Sequence, residues 1–282
     1  MINPSVAYCD VTRVRSDEPV DAADMITIEE PLEIWLEHGK NAGRKITAIS
    51  VTMRSPGNDA ELSLGFLYTE GLIKSMADVT DVHSAGNANI IHVALHEEVV
   101  PDLQKTERNF YTSSSCGVCG KSSIESIYAN LNNLHSKNTD LKVTPELIRS
   151  LPGLLEQQQE AFRHTGGLHA SALFDSNGKL LMLREDAGRH NALDKLIGSS
   201  LQKGLLPLDN HILLLSGRVS FELMQKAAVA GIPVIAAIGA PSSLAVQMAK
   251  QCGCTLIGFL KKDQFNIYTG KERILLHTAL PI

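Results

Sequence analysis

Two cysteines offer the clearest chemistry in the chain. Cys116 and Cys119 form a CxxC motif whose neighbours are glycines and a run of three serines, so little side-chain bulk covers the sulfur atoms. The spacing of Ser122 and Glu125 indicates a helix start directly after the motif, and free backbone N–H groups at a helix N-terminus favour thiolate over thiol. A thiolate with a second thiol three residues further along the chain suits persulfide transfer, in which one thiol attacks and the other resolves the intermediate.

Two other interpretations of the CxxC pair stay open on the residues alone. A thioredoxin-like redox pair has the same motif, although such pairs usually stand near the start of their α/β domain. A zinc site needs two more ligands, for which Cys252 and Cys254 are the available thiol pair, but a CxC in a strand directs its side chains to opposite faces. We therefore interpret Cys252, Cys254 and the isolated Cys9 as core or terminal residues.

Polar turns in the second half of the chain supply further candidates. Arg189 and His190 belong to the charged segment 184–191, where a strand is predicted to become a helix, and Arg218 stands in a Ser-Gly-Arg turn after the next strand. Strand ends and helix N-termini form the usual ligand crevice of an α/β sheet, and arginine with free N–H groups suits phosphate oxygens. Two such turns predict an anionic ligand, although helix capping or solvation explains any single residue equally well.

The predicted elements change character near residue 110. The first part contains a hairpin at 26–37 and 45–53, a helix that starts with a capping-box pattern at Asn58 and Glu61, and a strand at 91–95. A regular alternation follows, with strands at 168–174, 180–184, 211–216, 232–238 and 254–259 and helices at 144–162, 190–203, 220–230 and 242–251. We therefore expect an α/β protein with a β-rich α+β domain at 1–110, a CxxC loop and connecting helix at 111–143, and a three-layer α/β/α domain at 144–282.

Composition limits the partners. The chain has 282 residues, of which 44% are hydrophobic and 20% charged, as is typical of a globular protein. Its net charge of −5 argues against non-specific binding of nucleic acid. The first twenty residues hold no apolar signal segment, and the longest apolar run, 227–240, is interrupted and too short to cross a bilayer. We expect a cytoplasmic protein with no membrane and no nucleic acid as partner, in which the cysteines persist as thiols.

Together these segments resemble the FdhD family, the sulfur carrier proteins required for formate dehydrogenase activity. The resemblance covers about residues 25–270 and rests on motifs in a fixed order and spacing. A CxxC alone is a weak signal, whereas the ordered set is specific. The motifs are Ser55-Pro56-Gly57-Asn58-Asp59, Leu64-Gly65-Phe66-Leu67 with Glu70-Gly71, the segment 115–120, Arg184-Glu185-Asp186 through Asp194-Lys195, and Ser216-Gly217-Arg218.

The resemblance implies a route for sulfur. A cysteine desulfurase loads the CxxC protein, which passes the sulfur to the molybdenum cofactor, bis-molybdopterin guanine dinucleotide, before that cofactor enters formate dehydrogenase. Cys116 is then the persulfide carrier and Cys119 its helper, and the chain is expected to be a homodimer. An alternative from another class is a cofactor-binding chaperone whose CxxC serves docking or redox chemistry. The family's cofactor contact near the last strand falls on Phe259, Leu260, Lys261, Lys262, Asp263 and Gln264.

The second domain is also similar to the cytidine deaminase fold in the order of its helices and strands, which makes the expected domain cytidine-deaminase-like. That fold holds zinc with HxE at one helix start and PCxxC at the next. The corresponding segments here, 185–190 and 216–220, lack these ligands, so no zinc is expected and a zinc hydrolase or deaminase is disfavoured. We hypothesise that the crevice holds the guanine dinucleotide end of the cofactor at Arg189, His190 and Arg218, with arginine replacing metal as the positive element.

Overall fold

The computed structural model of the chain describes residues 4–84, 86–103 and 140–276. Within these ranges the chain forms a two-stranded hairpin, a four-stranded sheet and a six-stranded sheet, together with helices. This arrangement confirms the expected α/β class. Cys116, Cys119 and most of the connecting segment 111–143 lie outside the described residues.

The described chain begins with an antiparallel hairpin that the sequence pattern did not indicate. β1 (Val6–Arg15) pairs with β2 (Glu18–Thr27) along its full length. Ser16 and Asp17 form the two-residue turn with φ values of 48° and 68°, and type I′ hairpin turns require positive φ at both positions. Most side chains on both strands are exposed, so the strands lack the apolar alternation that marks a half-buried strand.

The four-stranded sheet follows and is covered on one face by a helix. Its strands are β3 (Glu30–His38), β4 (Lys45–Arg54), β5 (Val79–Ser84) and β6 (Ile90–Leu95), and the helix is α1 (Asp59–Thr69). The strand order is β4-β3-β6-β5, and the antiparallel pairing of β3 with β4 confirms the predicted hairpin. Leucine side chains of α1 pack with those of β3 and β6 to form the core of this unit.

The capping box predicted at Asn58 and Glu61 is wrong. Asn58 does precede α1, but it lies in the left-handed region with φ 59° and makes no side-chain cap. A capping residue normally has an extended backbone that aims its side-chain oxygen at the N–H groups of the first turn. The left-handed backbone at Asn58 removes that alignment.

The six-stranded sheet forms the centre of a three-layer unit. Its order is β12-β11-β10-β9-β7-β8, with β9, β10 and β11 mutually parallel and β7 antiparallel to both β8 and β9. This hairpin followed by parallel strands is the arrangement expected from the sequence. The strands are β7 (His169–Asp175), β8 (Leu180–Asp186), β9 (His211–Leu215), β10 (Val234–Ala237), β11 (Thr255–Gly258) and β12 (Asn266–Thr269).

Helices cover both faces of this sheet. They are α2 (Pro145–Gln158), α3 (Glu160–Thr165), α4 (Arg189–Gln202), α5 (Phe221–Val229) and α6 (Ser243–Gln251). Buried residues of α4, α5 and α6 pack on one face, and those of α2 pack on the other. The single helix predicted from Thr144 to Phe162 is instead two helices, and the break falls at Gln159 rather than at Pro152, which lies inside α2.

Strand β9 shows why the sequence of the central strands is apolar throughout. Leu213 and Leu215 contact α4 to α6, whereas Ile212 and Leu214 face α2. Side chains alternate between the two faces of a strand, so a strand covered on both sides needs apolar residues at every position. None of the helices in the described part of the chain combines the length and hydrophobicity that crossing a membrane requires.

Candidate functional site

The candidate residues lie along one edge of the six-stranded sheet. β8, β9, β10 and β11 end at this edge, and β7 begins there with His169, which pairs with Asp186 at the end of β8. Arg189 starts α4 directly beyond β8, Arg218 follows β9 and Phe259 follows β11. Sequence-distant candidates therefore meet along the edge where α/β sheets place their ligands.

Glycines allow the turns at this edge to approach one another closely. A Cβ atom on Gly239 would lie 2.8 Å from the backbone nitrogen of Arg218, and one on Gly217 would lie 3.2 Å from Nδ1 of His169. The N–H of Phe259 donates to the carbonyl of Gly239 at 3.1 Å. The turns after β9, β10 and β11 thus form one continuous surface beside His169.

Two arginines give this surface a positive potential. Arg218 is exposed, and within the described residues no carboxylate pairs with it; the Nε of Arg189 is buried and has no acceptor there either. Burial lowers the pKa of His169, and neighbouring Arg189 and His190 lower it further against a weaker opposing effect of Asp186. Unneutralised arginines beside backbone N–H groups suit an anionic ligand.

His190 is held by groups at the start of α5. Its Nε2 lies 3.2 Å from Oγ of Ser220 and 2.9 Å from Oε2 of Glu222. Ser220 also accepts from the N–H of Leu223 and so caps α5, as the alternative explanation of its polarity allowed. His190 therefore links the starts of α4 and α5, and its Nε2 is already committed within the protein.

The segment after β11 places its residues in contrasting environments. Phe259 is 45% exposed and adopts a left-handed φ of 51°, which is an outlier for a bulky residue. Leu260 is buried among the apolar residues under α2, so its side chain is not available to a ligand as the resemblance implied. Lys261 donates its N–H to the carbonyl of Gln264 at 2.9 Å, closing a turn. Four residues of this turn are exposed: Lys261, Lys262, Asp263 and Gln264.

A cavity of about 490 Å³ opens beside the same edge, lined in part by His169, Ser216 and Ile238. Gln159, at the break between α2 and α3, also lines the cavity and is 6% exposed. Its Nε2 is buried and has no hydrogen-bond partner among the described residues. Because a buried amide without a partner is costly, Gln159 is a candidate donor to a ligand in this cavity.

Comparison with known proteins decides the family. The model of the FdhD/NarQ family matches residues 27–275. The chain belongs to the FdhD/NarQ family. It is 44% identical over 279 residues to the sulfur carrier protein FdhD of Streptomyces coelicolor, covering 96% of each chain. It is 43% identical over 265 residues to the sulfur carrier protein FdhD of Saccharolobus solfataricus, covering 94% of this chain and 96% of that one.

A solved structure supports the fold of this FdhD/NarQ chain. The chain is similar to a protein from Desulfotalea psychrophila that is described as a candidate formate dehydrogenase accessory protein. The two share 24% sequence identity with a TM-score of 0.74, and the match covers 96% of this chain and all of that one. The arrangement of all three sheets therefore has a counterpart in a crystal structure.

Two segments that carry the FdhD resemblance, 55–59 and 184–195, face each other at the junction of the two units. Lys195 Nζ lies 2.7 Å from Oδ2 of Asp186 and donates to the carbonyl of Ser55 at 2.9 Å. The N–H of Ser55 donates to Asp186 at 3.2 Å, and all three residues are at most 1% exposed. This buried network fixes the turn from which Arg189 extends.

The charges of segment 184–195 are thus mostly structural rather than ligand-directed. Arg184 NH2 donates to Oε1 of Glu61 on α1 at 2.7 Å. Lys226 donates to both carboxylate oxygens of Asp194 and to Oγ1 of Thr69, each at 2.9 Å. Most of the charged residues in this segment therefore hold the two units together, and Arg189 remains a candidate for binding an anion.

The three described cysteines lie in the core or near the start of the chain, as expected. Cys252 and Cys254 are each 1% exposed in the core under α6, which confirms that they are core residues. Cys9 lies exposed on β1. Sequence reasoning missed Gln159 and Glu222 as residues of this edge.

Proposed function

We propose that the chain carries sulfur as a persulfide on Cys116 and delivers it to the molybdenum cofactor. Its relatives in Streptomyces coelicolor and Saccharolobus solfataricus are named sulfur carrier protein FdhD, and the CxxC motif supplies the thiols. The observation that carries the proposal is the pair Arg189 and Arg218, which lack carboxylate partners within the described residues at the sheet edge. An anionic acceptor bound there gives the carried sulfur a destination.

The transfer begins when the Cys116 thiolate attacks the outer sulfur of the persulfide on a cysteine desulfurase. A new S–S bond forms on Cys116, and the thiolate of the desulfurase leaves. Cys119, three residues further along the chain, then helps to release the sulfur to the acceptor. This step needs free thiols, which fits a protein acting in the cytoplasm.

The acceptor is bis-molybdopterin guanine dinucleotide, which is a substrate in this proposal. Its phosphates suit the arginine side chains and the turns at Gly217 and Gly239. Its guanine presents acceptor atoms that suit the buried amide donor of Gln159, and the exposed ring of Phe259 can stack on a base. Lys261, Lys262, Asp263 and Gln264 extend the same surface and offer further polar contacts.

Persulfide mass spectrometry tests the carrier step. After incubation with a cysteine desulfurase and cysteine, the parent protein gains the mass of one sulfur, and the Cys116→Ala variant does not. The Cys119→Ala variant retains the gain but transfers the sulfur more slowly. A one-sulfur gain that survives both substitutions together contradicts the assignment.

A cofactor-binding chaperone without sulfur transfer is the second candidate. It is favoured because the arginines, the glycine turns and Gln159 at the sheet edge can bind a ligand but cannot transfer sulfur. It predicts cofactor binding with no persulfide under the same loading conditions. The partners differ accordingly, because the carrier requires a cysteine desulfurase as well as formate dehydrogenase. Co-purification with a desulfurase that is lost in the Cys116→Ala variant supports the carrier.

We further propose that the protein acts as a homodimer. The hairpin of β1 and β2 leaves two large apolar side chains exposed on one of its faces, with Tyr8 at 78% and Val14 at 63%. A surface of this kind is typical of an interface. Light scattering of the purified chain should give twice the monomer mass, and Tyr8→Glu with Val14→Glu should reduce it to the mass of one monomer.

A further inference from the structure

A cluster of metal-ligating side chains lies on the open face of the four-stranded sheet, away from the crevice. The leucine and valine residues of β3 and β6 face α1, and the alternate positions carry Trp35, Glu37 and His92. His83 of β5 lies directly opposite His92 in the antiparallel pairing. Glu37 of β3 pairs with Ala94, which lies two residues beyond His92 on the same face of β6. Three neighbouring strands therefore bring two imidazoles and a carboxylate to one point.

The distances within this cluster are short. Nδ1 of His92 lies 3.1 Å from Oε1 of Glu37, and Nε2 of His83 lies 3.9 Å from the same oxygen. One donor atom from each of the three residues falls within 4.8 Å of the others. Within the described residues, this is the one group of three such side chains that could hold a metal ion.

We propose that Glu37, His83 and His92 bind a divalent first-row transition metal ion, with Asp81 orienting His83. Two imidazoles and one carboxylate form a ligand set that suits ions such as Zn²⁺, Co²⁺ and Ni²⁺ rather than Mg²⁺ or Ca²⁺. Three protein ligands leave at least one coordination position for water. The site is separate from the segments that lack the deaminase zinc ligands, which belong to the other sheet.

Asp81 supplies the second argument for a metal. Nδ1 of His83 lies 3.0 Å from Oδ2 of Asp81. When the neutral ring donates its Nδ1–H to this carboxylate, Nε2 keeps its lone pair and faces Glu37. Metal-ligating histidines almost always have such a carboxylate or carbonyl partner on the second nitrogen, which fixes the tautomer and increases ligand basicity.

The ligands can close around an ion by small side-chain movements. At a Zn–N distance of about 2.0 Å, ligand atoms of a tetrahedral site lie about 3.3 Å apart, so separations that are all within 4.8 Å must shorten by at most about 1.5 Å. The side chains of His83 and Asp81 are 46% and 64% exposed and have room to move. Arg44 opposes binding, because its Nε lies 3.8 Å from Oε2 of Glu37, although its guanidinium also donates to the carbonyl of Leu95.

Trp35 provides a reporter inside the site. Its ring stacks on His92 with centroids 5.7 Å apart and an interplanar angle of 7°. Because the chain contains one tryptophan, tryptophan fluorescence, excited selectively over tyrosine, reports on this position alone. A paramagnetic ion bound to His92 lies close enough to quench it.

The test is a Ni²⁺ titration of the full chain in a Cys116→Ser, Cys119→Ser background, which removes the CxxC thiols as competing ligands. We expect saturable quenching of Trp35 fluorescence with one ion per chain, reversed by EDTA. His83→Ala should abolish saturation, and Asp81→Asn should weaken binding by about 10- to 100-fold. Arg44→Gln should strengthen binding, and His96→Ala, which removes an exposed histidine outside the cluster, should change nothing.

Thermal unfolding with and without Zn²⁺ gives an independent measurement that does not depend on fluorescence. Zn²⁺ should raise the Tm of the background protein and leave that of His83→Ala unchanged, because only a site in the folded state stabilises it. An equal Tm rise in both proteins, or quenching of equal strength in His83→Ala, overturns the proposal. So does the absence of saturable binding in the background protein.

Discussion

Gly65 in α1 and Gly198 in α4 lie at a point where the two helices cross with their backbones in contact. A Cβ atom on Gly65 would overlap the carbonyl of Asp194, and one on Gly198 would overlap the carbonyl of Glu61. No side chain fits at either position without separating the helices. This crossing brings the four-stranded sheet and the six-stranded sheet together, and the buried ion pairs surround it.

Replacing Gly198 with alanine should destabilise the protein by about 3 kcal/mol or more, because the added methyl group forces the two backbones apart. Gly153→Ala is the matched control, since it also lies in a helix but has nothing within 4 Å of the added atom. The control should stabilise by about 0.5–1 kcal/mol. Urea unfolding measures both, and equal midpoints for the two variants would contradict the close crossing.

Single and double substitutions of Lys226 and Asp194 should change the free energy of unfolding by very different amounts. Burial alone lowers the pKa of Lys226, but the charges of Asp194 and Glu70 hold it above its ordinary value, so the lysine is charged. Lys226→Met leaves the Asp194 carboxylate buried without its partner and should cost about 3–5 kcal/mol.

Adding Asp194→Leu to Lys226→Met removes both charges and should recover most of the lost stability, because burial of the pair is itself costly. Urea unfolding of the two single variants and the double variant gives the coupling free energy. A double variant as unstable as the sum of the single variants would show that the charges do not act as a pair.

The sequence predicted the central strands and α4, α5 and α6 to within a few residues, because their apolar patterns follow directly from burial. The sequence does not show in the same way which groups a charged side chain pairs with. The sequence alone does not tell whether Lys195 faces solvent, a ligand or the protein interior; it is buried against Asp186 and Ser55, and the latter is 140 residues away in sequence. A charged residue looks the same in the sequence whether its counter-ion is a ligand or a distant side chain.

The hairpin of β1 and β2 was missed for a different reason. Its strands bury little, so the energetic cause of apolar alternation is absent. The break at Gln159 was also missed, because Pro152 is the stronger helix breaker by type, yet α2 continues through Pro152 as far as Gln158. In the candidate site, Arg189 and Arg218 were found from their types, whereas Gln159 required the three-dimensional cavity.

His169 should make stability depend on pH. Its pKa in the folded state is lowered below 6.5 by burial first and by Arg189 and His190 next. The unfolded state therefore binds more protons just below pH 6.5, so the contribution of His169 is fully present above that pH and is lost as the pH falls through the folded-state pKa. The Tm of the parent should fall between pH 7 and pH 5 more steeply than that of His169→Gln.

That comparison isolates His169 from the rest of the protein. Burial also lowers the pKa values of His38 and His211, and these residues remain in both proteins. They therefore contribute equally to the two melting profiles. Parallel profiles for the parent and His169→Gln would show that His169 is equally easy to protonate in the folded and unfolded states.

Arg218 should be required for binding a guanine nucleotide in the crevice. With guanosine diphosphate as the probe, Arg218→Ala should weaken binding about tenfold or more, because a charge-assisted contact to phosphate is lost. Gln159→Leu should weaken the same probe, since it removes the buried amide donor. Lys203→Ala is the control for loss of positive charge, because Lys203 lies at the opposite end of α4.

Calorimetry at fixed ionic strength measures these affinities, and its pH dependence adds a further check. Bound phosphate beside His169 favours the protonated ring, so guanosine diphosphate should bind more tightly at pH 6 than at pH 7.5, and this gain should disappear in His169→Gln. Arg218→Ala should retain persulfide loading on Cys116 while losing the nucleotide. If Arg218→Ala and Lys203→Ala bind guanosine diphosphate with equal affinity, the nucleotide binds elsewhere. The proposal that the sulfur acceptor binds at Arg218 would then be wrong.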